Sequence, residues 1–150
     1  MFDAITGAAA AESPLWAESL RSVEEQTREP VFSALAPARH AVGLETIYEG
    51  YLVHYGRSRL FAPADRDTAL LLGDYLYAHG LVRIAESGDV KAVADLAELI
   101  SRCAQLRAEG LDGDGEAWAA TSRSLGNRAA AGAGDEAVDS ALAAHARLVG

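Results

Sequence analysis

The chain has 150 residues, half of them hydrophobic, and a formal net charge of −9. That length suits one domain with its own core, and the apolar content excludes a disordered chain. An acidic surface repels phosphate backbones, which disfavours nucleic-acid binding, and no apolar run reaches the roughly 18–20 residues of a membrane span. The single cysteine, Cys103, excludes an internal disulfide and is expected to be a buried structural thiol. Because no basic segment precedes the first apolar stretch, we expect no signal peptide and a cytoplasmic protein.

Prolines and glycines divide the first half of the chain into predicted helices. Ser13 followed by a proline is typical of a helix N-terminus and predicts a helix over 14–27. A turn-like segment follows over 30–36. A longer helix is predicted over 37–55, and its apolar residues recur at helical spacing: Ala41, Leu44, Tyr48, Tyr51, Leu52 and Tyr55.

The next predicted helix, over 65–87, is apolar on most of its sides, and Asp65 provides its N-cap. A helix that is hydrophobic nearly all round belongs in the middle of a bundle or at a subunit interface. We therefore expect the segment 68–85 to be the most buried part of the chain. Its large apolar residues are Leu70, Leu71, Leu72, Tyr75, Leu76, Tyr77, Leu81, Val82 and Ile84.

Asp89 and Gly110 delimit the following predicted helix. No strand pattern is present anywhere in the sequence. Beyond Gly110 we predict an acidic loop over 111–116, a helix over 116–125, a mobile Ala/Gly-rich segment over 127–134, and a last helix that Asp135 caps and that runs to about residue 148.

The acidic loop resembles the start of a calcium-binding loop, because Asp112, Asp114 and Glu116 alternate along it. The sixth position of such a loop needs glycine for its turn, and the twelfth needs a bidentate glutamate. This chain has Ala117 and Arg123 there. The sequence therefore argues against a calcium site.

Other polar residues have ordinary interpretations. Glu45 and Glu49 lie one turn apart and are expected on a solvated edge of their helix. None of the four histidines has a partner at a zinc-binding spacing, so we expect them to make hydrogen bonds on helix surfaces. These histidines are His40, His54, His79 and His145.

Two stretches resemble a known family, the trans-isoprenyl diphosphate synthases. Residues 45–56 resemble the helix that reads Glu-x-x-His-x-x-Ser/Thr-Leu-Ile/Val-His-Asp-Asp. Residues 69–76 resemble the family's Ala-x-Leu-x-Gly-Asp-x-Leu segment. The resemblance covers roughly 37–110, and the residues that match the first motif are Glu45, Leu52, Val53 and His54.

The chain departs from this family where the first aspartate-rich motif, Asp-Asp-x-x-Asp, holds Mg²⁺ on the allylic diphosphate. The corresponding residues are Tyr55, Gly56, Arg57, Ser58 and Arg59. No carboxylate remains there for a hard metal ion. The resemblance thus implies no catalytic residue, no metal ligand and no cofactor in this chain, although Arg57 and Arg59 could contact a phosphate.

The resemblance implies an all-α bundle like the N-terminal half of the synthase fold, over residues 1–110, with a helical extension over 111–150. It also implies a function: the non-catalytic small subunit of a two-component polyprenyl diphosphate synthase. Such a subunit pairs with a catalytic chain that carries both aspartate-rich motifs and Mg²⁺, and helps shape the product tunnel. The interface or tunnel candidates are Tyr48, Tyr51, Leu52, Tyr55, Gly73, Asp74, Tyr77 and Leu81.

Two alternatives stay open. The first is a helical homodimeric interaction or regulatory domain without a ligand, in which the chain pairs with itself. The second is a helical small-molecule binder or enzyme with an unfamiliar site.

Overall fold

The computed structural model of the chain describes residues 1–126 and 134–150, and this part is all-α. Its strand-like pairing is limited to one isolated bridge between Leu20 and Phe61. Short 3-10 turns precede α3. The helices of the described part are α1 (Phe2–Glu12), α2 (Pro14–Glu18), α3 (Ala41–Tyr55), α4 (Arg66–Ala85), α5 (Val90–Glu109), α6 (Asp114–Ser124) and α7 (Asp135–Val149).

Helix α3 is the centre of the bundle, since every residue from Gly43 to Leu52 is buried. Helix α4 packs along it in the antiparallel direction through two pairs of glycines. A Cβ atom on Gly80 would lie 2.9 Å from the carbonyl oxygen of Gly43, and one on Gly50 would lie 3.0 Å from that of Gly73. The absence of side chains at these positions lets the two backbones approach closely.

The remaining elements cover α3 and α4 on two sides. The smaller core cluster joins α1 and α2 to α4 through Phe2, Ile5, Ala9, Trp16, Leu60, Phe61, Leu72 and Leu76. The larger cluster joins α3 to the 3-10 turns and to α5, α6 and α7, and it includes Phe32, Leu44, Tyr48, Leu96, Cys103 and Trp118.

The predicted helix ends are confirmed where a side chain or a glycine fixes them. Asp65 accepts a hydrogen bond from the amide of Thr68 at 2.8 Å, and Asp89 accepts one from Ala92 at 3.0 Å. Gly110 ends α5 in the left-handed region, with φ of 65°. The buried thiol of Cys103 is also confirmed, and burial raises its pKa to about 12.

Four expectations need correction. The helix predicted over 14–27 ends at Glu18, because the backbone beyond it bonds to the segment 58–62 instead: Arg21 donates to the carbonyl of Leu60 at 2.9 Å. Helix α1 lies where none was predicted. The most buried helix is α3 and not α4, since one face of α4 is exposed.

Asp135 is the first residue of α7 and does not cap it. The mobile segment predicted over 127–134 lies outside the described residues except for Gly134.

The glycine contact between α3 and α4 generates a stability prediction. Gly80→Ala would place a methyl group against the backbone of α3, so we expect it to lower the free energy of unfolding by about 1–3 kcal/mol. The control is Gly7→Ala in α1, where a Cβ meets nothing within 4 Å. There the better helix propensity of alanine should raise stability by up to about 1 kcal/mol. Urea unfolding of both variants tests the contact, and equal effects would contradict it.

Candidate functional site

A buried charge cluster lies inside the bundle beside α3. Arg59 donates to Glu45 at 2.8 Å through Nη1 and to Glu49 at 2.9 Å through Nε. All three side chains are inaccessible to solvent. Paired charges of opposite sign tolerate this burial only when their hydrogen bonds are satisfied.

The carboxylates satisfy their remaining lone pairs with backbone amides. Glu45 Oε1 accepts from the amides of Val31 and Ser33, both at 2.9 Å. Glu49 Oε1 accepts from the amide of Leu60 at 3.0 Å and from the hydroxyl of Ser58. The cluster thereby fixes two loops, one before α3 and one after it, against the same helix.

Arg59 is fully engaged in this cluster. Burial alone would lower the pKa of Arg59, but Glu49 and Glu45 raise it above its usual value. Its guanidinium also lies over the rings of Phe2 and Tyr48, at 5.2 and 5.1 Å from their centroids.

Two expectations about these charged residues are therefore wrong. The edge that carries Glu45 and Glu49 is buried and not solvated, because the cation that balances it comes from a loop ten residues or more away in the sequence. Arg59 has no exposed face with which to contact a phosphate, whereas Arg57 lies at the surface.

A second polar group lies at the other end of the same core. The hydroxyl of Tyr51 donates to Asp114 Oδ2 at 2.5 Å, and Arg107 donates to the same oxygen at 2.7 Å. The hydroxyl of Tyr48 lies 2.9 Å from His145 Nδ1. Burial raises the pKa of both tyrosines and lowers that of His145. The expectation that the histidines lie on helix surfaces is wrong for His40 and His145, which are 0% and 6% exposed. Sequence reasoning did not single out Arg107 at all, because residues far apart in the sequence meet here without a motif.

The predicted interface candidates divide into two groups. Tyr48, Tyr51 and Leu52 are buried in the chain's own core, so the isolated fold already accounts for their apolar surface. Gly73 contacts α3. The remaining candidates are at least partly exposed. Tyr55, Asp74 and Tyr77 line a groove that is described next, and Leu81 lies one turn beyond Tyr77 on α4.

An open groove of about 530 Å³ runs between the end of α3, α4 and α5. Asp74 lies at its edge, 3.2 Å from His54 Nε2. The apolar residues of its lining are Val53, Tyr55, Ala69, Leu70, Tyr77, Ile100 and Ala104.

Beside this groove, the outer face of α4 forms an apolar stripe, which we define as Leu71, Ala78, Val82 and Ala85. Leu71 is 58% exposed and Val82 is 54% exposed, and the two alanines between and after them are also exposed. Asp74 is the one charged residue along it. Together with Asp74, these residues recur every three or four positions, so they share one side of α4, opposite the side that packs on α3.

A cavity of about 560 Å³ opens between the start of α6 and the end of α7. Its inner wall contains Arg107, Asp114 and His145, the polar group described above. The rim carries Asp112 and Glu116, and the apolar part is formed by Leu111, Leu142, Ala146 and Val149.

The described residues contain no group of three or more His, Cys, Asp or Glu side chains arranged to hold a metal ion. Within the same part of the chain, no helix is both long and apolar enough to cross a bilayer. In comparisons with known proteins, no family model matches the chain, and no curated protein or solved structure matches it either.

The charge cluster makes a prediction about stability. Arg59→Met would leave two carboxylates buried without a cation, so the free energy of unfolding should fall by about 3–5 kcal/mol. Arg102→Met, at an exposed position of α5, is the matched control and should change stability by no more than about 0.5 kcal/mol.

The triple variant Glu45→Gln, Glu49→Gln and Arg59→Met removes every charge of the cluster, and it should be more stable than Arg59→Met alone. Urea unfolding measures all three proteins. A triple variant that is less stable than the single one would contradict the charge argument.

Proposed function

We propose that this chain is the non-catalytic small subunit of a two-component polyprenyl diphosphate synthase. Its fold would correspond to the N-terminal half of the synthase fold, and its partner would be the catalytic chain that carries both aspartate-rich motifs and Mg²⁺. Both would reside in the cytoplasm. The observation that carries the proposal is the apolar stripe on α4, the helix that contains the Gly-Asp-x-Leu sequence.

The composition of the stripe favours a protein partner. Interface cores are depleted of charged residues and enriched in large apolar ones. The outer face of α4 has this character over about four turns apart from Asp74, although the chain as a whole is strongly acidic. Exposed apolar side chains that gather on one helix face, here on both sides of Asp74, mark an interaction site on many soluble proteins.

The groove beside the stripe supports a contribution to the product tunnel. Its wall is mostly hydrocarbon, with Tyr55 and Tyr77 on one side and Ile100 on another. A partner that packs on the stripe would cover this groove and turn it into an enclosed apolar channel. Such a channel suits a growing polyprenyl chain.

Self-association through the same face is the second candidate. Leu71, Ala78 and Ala85 are spaced by seven residues. A repeat of seven lets two copies of one helix pack along each other, and a two-fold axis would place the same patch on both subunits.

Substitutions on the stripe test the interface. Leu71→Glu combined with Val82→Glu should abolish binding to the catalytic subunit, or self-association, because it places unpaired charges in an apolar contact. Both side chains are exposed in the chain itself, so the variant should keep its helical circular dichroism. Val23→Glu, at another exposed apolar position, is the control and should leave binding unchanged.

Co-expression with the catalytic subunit followed by gel filtration and analytical ultracentrifugation provides the measurement. A wild-type chain that stays a folded monomer at micromolar concentration and ignores the catalytic subunit would contradict the proposal.

The proposal also predicts that the isolated chain is inactive. Tyr55, Gly56 and Arg59 stand where the resembled family has aspartates, so the purified chain should not condense isopentenyl diphosphate with an allylic primer. Mixing it with the catalytic subunit should restore product formation. Radiolabelled product from the chain alone, lost when Mg²⁺ is chelated, would overturn this part of the proposal.

A further inference from the structure

We propose that the cavity between α6 and α7 binds a small zwitterionic amino acid with an apolar side chain. The carboxylate would lie against His145 and the first turn of α6, and the ammonium group against the acidic rim. This site is separate from the stripe on α4 and does not depend on the proposed function.

His145 provides a hydrogen-bond donor to the cavity. The residue is only 6% exposed, yet its Nε2 lies at the cavity wall beside Gly115 and has no partner among the described residues. The hydroxyl of Tyr48 is buried, keeps its proton, and has only His145 Nδ1 as a partner in the described part of the chain. That hydroxyl must therefore donate to Nδ1, which leaves the proton of the neutral ring on Nε2.

The first turn of α6 adds further donors. The first backbone hydrogen bond of this helix joins the amide of Ala117 to the carbonyl of Gly113, at 3.0 Å. The amides of Asp114, Gly115 and Glu116 precede it, and no side chain caps them. Free amides at a helix N-terminus favour an anionic group.

Gly115 keeps this arrangement open. A Cβ atom there would lie 3.3 Å from His145 Nε2 and 2.9 Å from its Cδ2. Any side chain at this position would therefore crowd the imidazole edge. The glycine lets one ligand group reach both the ring N–H and the helix amides.

Acidic groups explain why the ligand should also carry a positive charge. Asp114 is only 6% exposed, and its Oδ1 has no hydrogen-bond partner among the described residues. The charge of Asp114 is balanced by Arg107, but Asp112 and Glu116 at the rim form no ion pair in the described part. The negative rim would repel a simple anion. A zwitterion can accept hydrogen bonds from the donors through its carboxylate and pair with the rim carboxylates through its ammonium group.

The apolar part of the cavity determines the rest of the ligand. Leu111, Leu142 and Val149 offer hydrocarbon surface next to the polar wall. The volume lies within the usual range for small-molecule sites. We therefore expect a branched aliphatic side chain to be preferred.

Three probes of one shape test the charges separately. L-leucine carries both groups, 4-methylpentanoate lacks the ammonium, and 3-methylbutylamine lacks the carboxylate. In calorimetric titrations of the full chain, leucine should bind, and each analogue should bind about tenfold or more weakly, since each loses a charge-assisted contact. In ¹H–¹⁵N spectra, leucine should shift the amides of Gly115 and Glu116.

Substitutions at His145 separate binding from a structural role. His145→Gln keeps a donor near the position of Nε2 but loses the acceptor for Tyr48, and should retain most of the affinity. His145→Asn keeps an acceptor near Nδ1 but loses the donor, and should weaken leucine binding by about tenfold. If His145 only supports the fold, the two variants should bind leucine equally well. His145→Asn, which keeps the acceptor for Tyr48, should then be the more thermally stable of the two.

The rim supplies variants that do not disturb the core. Asp112→Asn combined with Glu116→Gln should weaken leucine binding by about fivefold while leaving 4-methylpentanoate unaffected or tighter. Glu98→Gln combined with Asp139→Asn removes the same charge at exposed positions outside the cavity, and should change neither affinity. The proposal is overturned if leucine does not bind, if either analogue binds as tightly as leucine, or if the rim variant behaves like its control.

Discussion

The fold depends on one guanidinium held between two carboxylates, all three of them inaccessible to solvent. Arg59 comes from the loop after α3, and Glu45 and Glu49 come from α3 itself. Because removing Arg59 would leave two buried carboxylates without a cation, the loop is fixed to the helix in a single position. Glu45 also accepts hydrogen bonds from the backbone of the loop before α3, at the amides of Val31 and Ser33. The loop after α3 then provides Leu60 and Phe61, against which α1 and α2 pack.

The burial of α3 from Gly43 to Leu52 determines which apolar surface stays exposed. Its apolar and aromatic side chains are satisfied by the chain's own core, and the layer of Tyr48, Tyr51 and Trp118 leaves little of this helix for a partner. The apolar surface that stays exposed lies on α4, which packs through its glycines on one side and presents the stripe on the other. The two helices thus differ in role. The buried contacts of α3 stabilise the fold, and we assign association with a partner to the exposed face of α4.

Sequence patterns predicted the all-α class and the helix ends at Asp65, Asp89 and Gly110, because caps and glycine stops act locally. They failed where the partner of a residue is distant in the sequence. Glu45 and Glu49 look like a solvated pair until Arg59 is brought to them by the turn after α3. The helix predicted beyond Glu18 is likewise lost to backbone bonds with the segment 58–62. The pocket around His145 gave only a partial signal in the sequence, the alternating Asp112, Asp114 and Glu116, since its other groups come from α3, α5 and α7.

Hydrogen exchange measured by mass spectrometry shows whether α4 is the association surface, as we propose. The chain is compared alone and with the catalytic subunit of a two-component polyprenyl diphosphate synthase. We expect protection to increase in the peptides of α4 and the adjoining face of α5, and α3 to be strongly protected in both samples. Unchanged exchange in α4, with new protection confined to other helices or found nowhere, would contradict the proposal.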